Sequence, residues 1–190
     1  MRDPALALRR VEMGPADAPR FQRFFDENPE YSLAVNGRPP HANEAAEEIA
    51  DLPPPELEFG TRHLFGFETE AGELAAFAGI LGDFIARGVW HIGLFIVATR
   101  LHGGGTAHAL HAELESWMRS QGARWIRLGV VAGNARAERF WERCGYVEVR
   151  RRNGVDTGGK INELRVMVKP LGDAGIAEYL ALVARDRPES

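Results

Sequence analysis

Three observations predict an α/β fold built on one mixed, mostly antiparallel central sheet of about seven strands flanked by helices. The apolar runs Thr61–Thr69, Glu73–Ile85 and Val89–Ala98 follow one another across short turn signals, which reads as three consecutive antiparallel strands. Leu101–Gly122 then reads as a crossover helix that delivers Arg124–Val131 parallel to Val89–Ala98. Leu6–Met13 at the start, with Val147–Arg151 and Glu163–Lys169 near the end, completes the count of seven.

Between the first two strands, Asp17 is placed to cap a helix over Ala18–Asp26 whose apolar face is Phe21, Phe24 and Phe25. The following stretch, with Pro29, Asn36, Gly37, Pro39 and Pro40, reads as loop with one helical turn near Tyr31. A second helix is expected over Asn43–Asp51, stopped by three prolines, and a third from Asn134 to near Gly145. Gly154–Lys160 begins like a phosphate-binding loop but continues into a strand with Ile161 at the metal-binding position, so a mobile hairpin loop is the better account.

Length and composition fit a single domain over residues 1–170 with a helical tail over 171–190, peripheral or at a subunit contact. The chain has 190 residues, 45% of them hydrophobic and 26% charged, with a formal net charge of −4. General attraction to nucleic acid is therefore not expected. The single Cys144 forms no internal disulfide, and no apolar run approaches membrane-spanning length, so a soluble cytoplasmic protein is expected. Charge is unevenly spread. Nine acids and one base lie between Asp26 and Glu58, whereas ten arginines and five glutamates lie between Arg100 and Arg152.

The chemistry concentrates at Gly103, Gly104 and Gly105, between an apolar strand and a helix. Glycines let backbone amides approach a ligand closely, and the first amides of a helix lack partners and carry positive potential, which suits phosphate. A tight turn is an equal reading of the cluster alone. The dinucleotide spacing G-x-G-x-x-G is not met, which disfavours hydride transfer. His102–Ala107 does fit the pattern Q/R-x-x-G-x-G/A, with His102 where Gln or Arg is usual, and Asn134–Tyr146, NARAERFWERCGY, fits N-x-x-A-x-x-F-Y-x-x-x-G-F with Trp141 for Tyr. In these two motifs the chain resembles the GCN5-related N-acetyltransferase (GNAT) superfamily, strongly over residues 89–149.

The resemblance implies an acetyl-CoA-dependent acyltransferase with a splayed parallel strand pair at the cofactor site. It implies contacts to coenzyme A from Ile96, Val97, Arg100, His102, Gly103, Gly104, Gly105, Thr106, Ala107, Asn134, Ala137, Arg139, Phe140 and Trp141, without a metal. A homodimer is common in the family. The acceptor is expected to be an amine of a small molecule or peptide, and the acidic early helices, which border the acceptor pocket in the family, favour a cationic one. The alternative is an acyl-CoA sensor or pseudoenzyme, because the indole of Trp141 does not replace an acidic Tyr.

An amine with a Lys-like pKa near 10.4 must lose a proton at a cost of roughly 4–5 kcal/mol at pH 7, so a base is the main catalytic requirement. His91 falls where one branch of the family carries its catalytic Glu, and its ordinary pKa suits the task. Glu68 and Glu70 are rivals. Tyr31 or water is the expected proton donor to the leaving thiolate. His108, His111 and Glu115 share a helix face, read as surface or packing residues rather than a metal site, and Cys144 reads as core.

Overall fold

The computed structural model describes residues 7–188. Seven strands form one sheet in the order β1-β2-β3-β4-β5-β7-β6, as the sequence predicts in number and in mixed direction. They are β1 (Arg9–Glu12), β2 (Thr61–Glu68), β3 (Leu74–Gly82), β4 (Val89–Val97), β5 (Trp125–Val131), β6 (Val147–Asp156) and β7 (Ile161–Pro170). Leu6, the expected first strand residue, lies outside the described residues. Only β4 and β5 pair in parallel.

Six helices flank the sheet: α1 (Ala18–Glu27), α2 (Glu30–Asn36), α3 (Glu44–Ala50), α4 (Thr106–Ser120), α5 (Ala135–Arg143) and α6 (Ile176–Leu182). The phenylalanine face of α1 is buried as expected, with Phe21 stacked on Phe77 of β3 at 3.8 Å. Asp17 does not cap α1; its carboxylate instead accepts the Gly14 amide at 2.9 Å and closes a short turn before the helix. The stretch expected as loop with one helical turn near Tyr31 holds that turn within a longer helix of about two turns, α2. Gly37 ends it in the left-handed conformation, φ +71°, and donates to the Leu33 carbonyl. Crossover helix α4 starts later than expected, because the glycines precede it and a short 3-10 turn, Thr99–Leu101, precedes them.

One register shift organises the sheet's centre. Gly79 pairs with Leu94 but Ile80 pairs with Ile92, so Gly93 is an extra residue bulging from β4. The bulge reverses which side chains face which layer. Trp90 and Ile92 pack with Leu110, Leu114 and Met118 of α4, whereas beyond it Leu94 and Ile96 join the α1 phenylalanines. Parallel pairing with β5 also stops there, at Ile92 opposite Leu128. The two strands diverge beyond this point, and their facing edges are open to a ligand.

The tail covers the sheet's far end. Tyr179 of α6 is fully buried among Val89, Trp125, Val149, Val166 and Val168, and Asp186 is completely inaccessible. The β6–β7 hairpin is longer than expected, and its tip is tied down. Thr157 Oγ1 and Asn162 Nδ2 both donate to the Val35 carbonyl of α2, at 2.7 and 2.8 Å.

Candidate active site

The open end of the β4–β5 splay leads into the glycine turn. Gly103 and Gly105 have φ of +82° and +87°, and a Cβ on either would meet nothing within 4 Å. The turn is therefore open to approach from outside, and its left-handed positions favour glycine. The ladder of α4 first engages where the Ala109 amide donates to the Gly105 carbonyl at 3.1 Å, which leaves the amides of Thr106, Ala107 and His108 without partners inside the helix. Asn28 anchors the turn's entrance: its amide group donates to the Phe24 carbonyl and its oxygen accepts the Thr99 amide at 2.7 Å. Glu30 adds a hydrogen bond from Thr99 Oγ1 at 2.6 Å, which holds its carboxyl below the usual range.

His102 turns inward, where its Nε2 lies 2.8 Å from the Val97 carbonyl and 3.3 Å from Arg136. The carbonyl only accepts, so we assign the proton to Nε2; Nδ1 is then a bare acceptor, buried without a partner. Arg100, just before the turn, and Arg139, on α5, are both exposed. The Asn134 side chain caps α5 by accepting the Ala137 amide at 3.3 Å. Ile96 points into the α1 core and offers only backbone to the splay.

Phe140 and Trp141 of α5 pack beside β4. Phe140 stacks on Phe95 of β4, and Trp141 is buried against Phe95, Phe140, His111 and Tyr146. His111 is committed to the Tyr146 hydroxyl at 2.9 Å and is pushed down to about 4 by burial and by Lys169. Cys144 lies 3.4 Å from His108, and burial pushes its thiol up to about 11, which makes it an inert packing group at neutral pH. Among the described residues no group of three His, Cys, Asp or Glu side chains is arranged to hold a metal.

The opposite face of the splay has a different character. Gly93 and Gly129 are both exposed and leave a slot between the strands; a Cβ on Gly93 would sit 3.9 Å from His91 Nε2 and one on Gly129 3.7 Å from the Leu164 side chain. His91 therefore presents this nitrogen toward the slot. Its Nδ1 is 3.1 Å from the Arg127 carbonyl and 3.3 Å from Arg127 Nη1. We assign the proton to Nδ1, by the same reasoning as for His102, which leaves Nε2 with its lone pair. Phe84 stacks on the ring at 4.7 Å. The turn carrying Phe84 is strained, with Asp83 at φ +50° and the β-branched Ile85 at φ +70°.

This setting changes the titration expected for His91. Burial, then the Arg127 charge, pushes it from the ordinary 6.5 to about 3, so the ring is neutral throughout the physiological range. Arg127 in turn donates to Asp186 through Nε at 2.7 Å and Nη2 at 3.2 Å, and Tyr179 and Arg152 donate to the same carboxylate at 2.6 and 2.9 Å. Sequence reasoning missed this network. An arginine inside the apolar strand WIRLGVV is a readable signal, but nothing about Asp186 in the tail marks it.

Tyr31 packs against the α1 cluster, and burial with the nearby carboxylates of Glu48 and Glu44 pushes its phenol up. Glu48 is a second residue that the sequence does not single out. Burial and Asp51 push it up to about 7, and its carboxylate accepts no hydrogen bond from a described residue. The rival Glu68 is occupied by Arg9 and Arg20. Glu70 lies exposed in the β2–β3 turn.

A mixed sheet splayed behind a bulge, with a backbone anion cradle at one end, defines an acyl-CoA-dependent transferase class. Residues 21–146 match the family model of the acetyltransferase (GNAT) family, and the chain belongs to that family. Its fold is similar to that of an acetyltransferase from Thermus thermophilus, with a TM-score of 0.70 at 19% identity over 87% of this chain and 98% of that one. It is also similar to spermidine N-acetyltransferase from Vibrio cholerae in complex with CoA and spermine, with a TM-score of 0.66 at 16% identity over 91% and 98%. The Escherichia coli ribosomal-protein-S18-alanine N-acetyltransferase gives a TM-score of 0.62 at 19% identity over 90% and 97%. A sequence search of curated proteins finds no match.

Proposed function

We propose that this protein transfers an acetyl group from acetyl-CoA to a primary amine of a small molecule or peptide by direct attack in a ternary complex. The reading rests on one observation: the slot at Gly93 and Gly129 has unpaired amides beyond one end and the bare Nε2 of His91 at its side. The residues fit coenzyme A, because the glycine turn is open and the first amides of α4 are unpartnered donors, which is what the acceptor oxygens of a diphosphate require. Gly103, Gly104, Gly105, Thr106 and Ala107 hold the diphosphate through their amides. Arg100 and Arg139 supply positive charge nearby, His102 braces the turn through the Val97 carbonyl, and Asn134, Ala137, Phe140 and Trp141 wall the pantetheine arm with the β4 edge at Ile96 and Val97. Bound there, the thioester supplies an activated acetyl carbon.

The amine nitrogen forms its bond to that carbon as the carbon–sulfur bond breaks. The amine attacks in its neutral form after giving its ammonium proton to water, and His91 Nε2 accepts a hydrogen bond from it and takes the second proton, which the nitrogen releases as the amide forms. A ring pushed to about 3 releases that proton to water rather than keeping it. We assign the thiolate's proton to water as well, because Tyr31 holds its own too tightly, and assign Tyr31 to the acceptor wall. Glu48, half-buried and with no hydrogen bond to its carboxylate from a described residue, is the acid we assign to attract an ammonium group, which supports a cationic tendency in the acceptor.

A CoA-release assay against a panel of primary amines tests the reading, with acetyl-CoA binding first established by calorimetry. Release that depends on the amine supports it. Tight binding with no release for any amine would favour an acyl-CoA sensor.

A further inference from the structure

Three guanidinium groups gather around a single buried carboxylate on the acceptor face. Strand register explains the gathering. Arg127 and Gly129 lie on one face of β5, Val131 faces Leu164 across β7, and Leu164 faces Arg152 on β6. The Leu164 side chain would touch a Cβ on Gly129 at 3.7 Å, so the arginine row and the slot share one surface.

Asp186 does not consume the hydrogen-bonding capacity around it. Its two oxygens take Arg127, Arg152 and Tyr179. Arg152 Nε is nevertheless buried with no partner. With the His91 proton on Nδ1, Arg127 Nη1 has no acceptor either. The Arg185 guanidinium, half-buried, hydrogen-bonds to no described residue; only its backbone carbonyl is used, by Arg150 and Arg152 at 2.7 and 3.0 Å. Burial and the charges of Arg152 and Arg127 pull Arg185 down, and the carboxylates of Asp186 and then Glu56 offset this only in part. Unfilled donors and surplus positive charge in a half-buried corner call for an anion.

We propose that Arg185 and Arg152, backed by Arg127, form a carboxylate subsite, so that the acceptor is an amino acid or a peptide-like molecule carrying a carboxylate near its amine. This deepens the acetyl-transfer reading and rests on it. The amine end then lies at His91 and the slot, and the acid end at the arginines, which excludes simple polyamines as the preferred substrates. A phosphonate would satisfy the same donors, and a matched phosphonate in the panel separates the two.

The test uses the full-length protein and compares kcat/KM for each amino acid with its carboxamide and its decarboxylated amine. The acids are expected to exceed both neutral forms at least tenfold. Arg185→Ala, which removes no hydrogen bond between described residues, is expected to bring that ratio close to one while changing the amide's own kcat/KM less than threefold. Equal or faster turnover of the amides, or an Arg185→Ala ratio like that of the wild type, overturns the proposal while leaving acetyl transfer intact. A phosphonate preferred over the carboxylate overturns the carboxylate assignment. If no acceptor turns over, calorimetry on the CoA-loaded protein decides: N-acetylglycine should bind at least tenfold tighter than N-acetylglycinamide, and equal or absent binding overturns the subsite.

Discussion

The two sides of the β4–β5 splay are built from different materials. The side proposed for the cofactor is mostly backbone: amides at the start of α4, glycines in the left-handed conformation, and a strand edge released by the Gly93 bulge. The side proposed for the acceptor is made of side chains brought together from distant segments, with Tyr31, Glu48, Phe84, His91, Arg127, Arg152 and Asp186 drawn from α2, α3, a strained turn, three strands and the tail. A backbone site needs only a short stretch of correct conformation and is written locally. A side-chain site exists only after the chain has folded, and its groups change one another's ionisation.

The comparison can be broken at several points. The largest effect is expected from Asp186→Ala, which leaves Arg127 and Arg152 buried or half-buried without their carboxylate; loss of one partner of such a pair costs about 3–5 kcal/mol. Thermal unfolding should show it. Its pH dependence has a fixed sign. The two arginines and Tyr179 hold the Asp186 carboxyl below its ordinary value, so the stability it contributes is present above an unfolded pKa of about 3.9 and is lost as pH falls through that range. The difference between wild type and variant should shrink on acidification below pH 4; a constant difference would show that Asp186 acts only through packing.

Gly105→Asp combines a disfavoured φ of +87° with a negative charge at the anion cradle. Affinity for CoA is expected to fall at least a hundredfold, about 2.7 kcal/mol, in a calorimetric titration. Near-native affinity would remove the glycine turn from the site. For His91→Ala, turnover is expected to fall about tenfold or more, roughly 1.4 kcal/mol in the barrier, while CoA affinity changes less than twofold. Equal losses in both would tie the ring to structure rather than to the acceptor side.

The last prediction, which leaves the chemistry untouched and reads stability alone, concerns Glu48. Its folded pKa of about 7 lies above the unfolded value, so the folded state holds the proton more tightly and loses stability as pH rises from about 4.3 toward 7. Glu48→Gln should therefore raise the melting temperature at pH 8 and leave it unchanged at pH 4. A variant that melts lower at pH 8 would mean that the charged carboxylate is already compensated.

The same contrast explains what the sequence discloses. Periodicity and turn residues reveal all seven strands and the crossover, because each is a local pattern bounded by glycine, proline or asparagine. His102–Ala107 and Asn134–Tyr146 are legible for the same reason. The α2 helix is hidden because Pro29 and Gly37 look like loop punctuation, although they sit at its two ends. The hairpin over Gly154–Lys160 looks free, yet Thr157 and Asn162 fasten it to Val35, more than 120 residues away in the chain. His91 stands out by position, but its depressed pKa depends on Phe84 and Arg127, and no spacing rule connects those three. Asp186 lies in a stretch whose sequence suggests only a terminal helix.

The central claim is that backbone amides at the mouth of α4 hold the cofactor's diphosphate. Following the amide resonances of Gly103, Gly104, Gly105 and Thr106 during a CoA titration tests it most directly. The account predicts that these four shift together and saturate with the dissociation constant found by calorimetry. Saturating CoA that moves other amides and leaves the glycine turn unperturbed would contradict it.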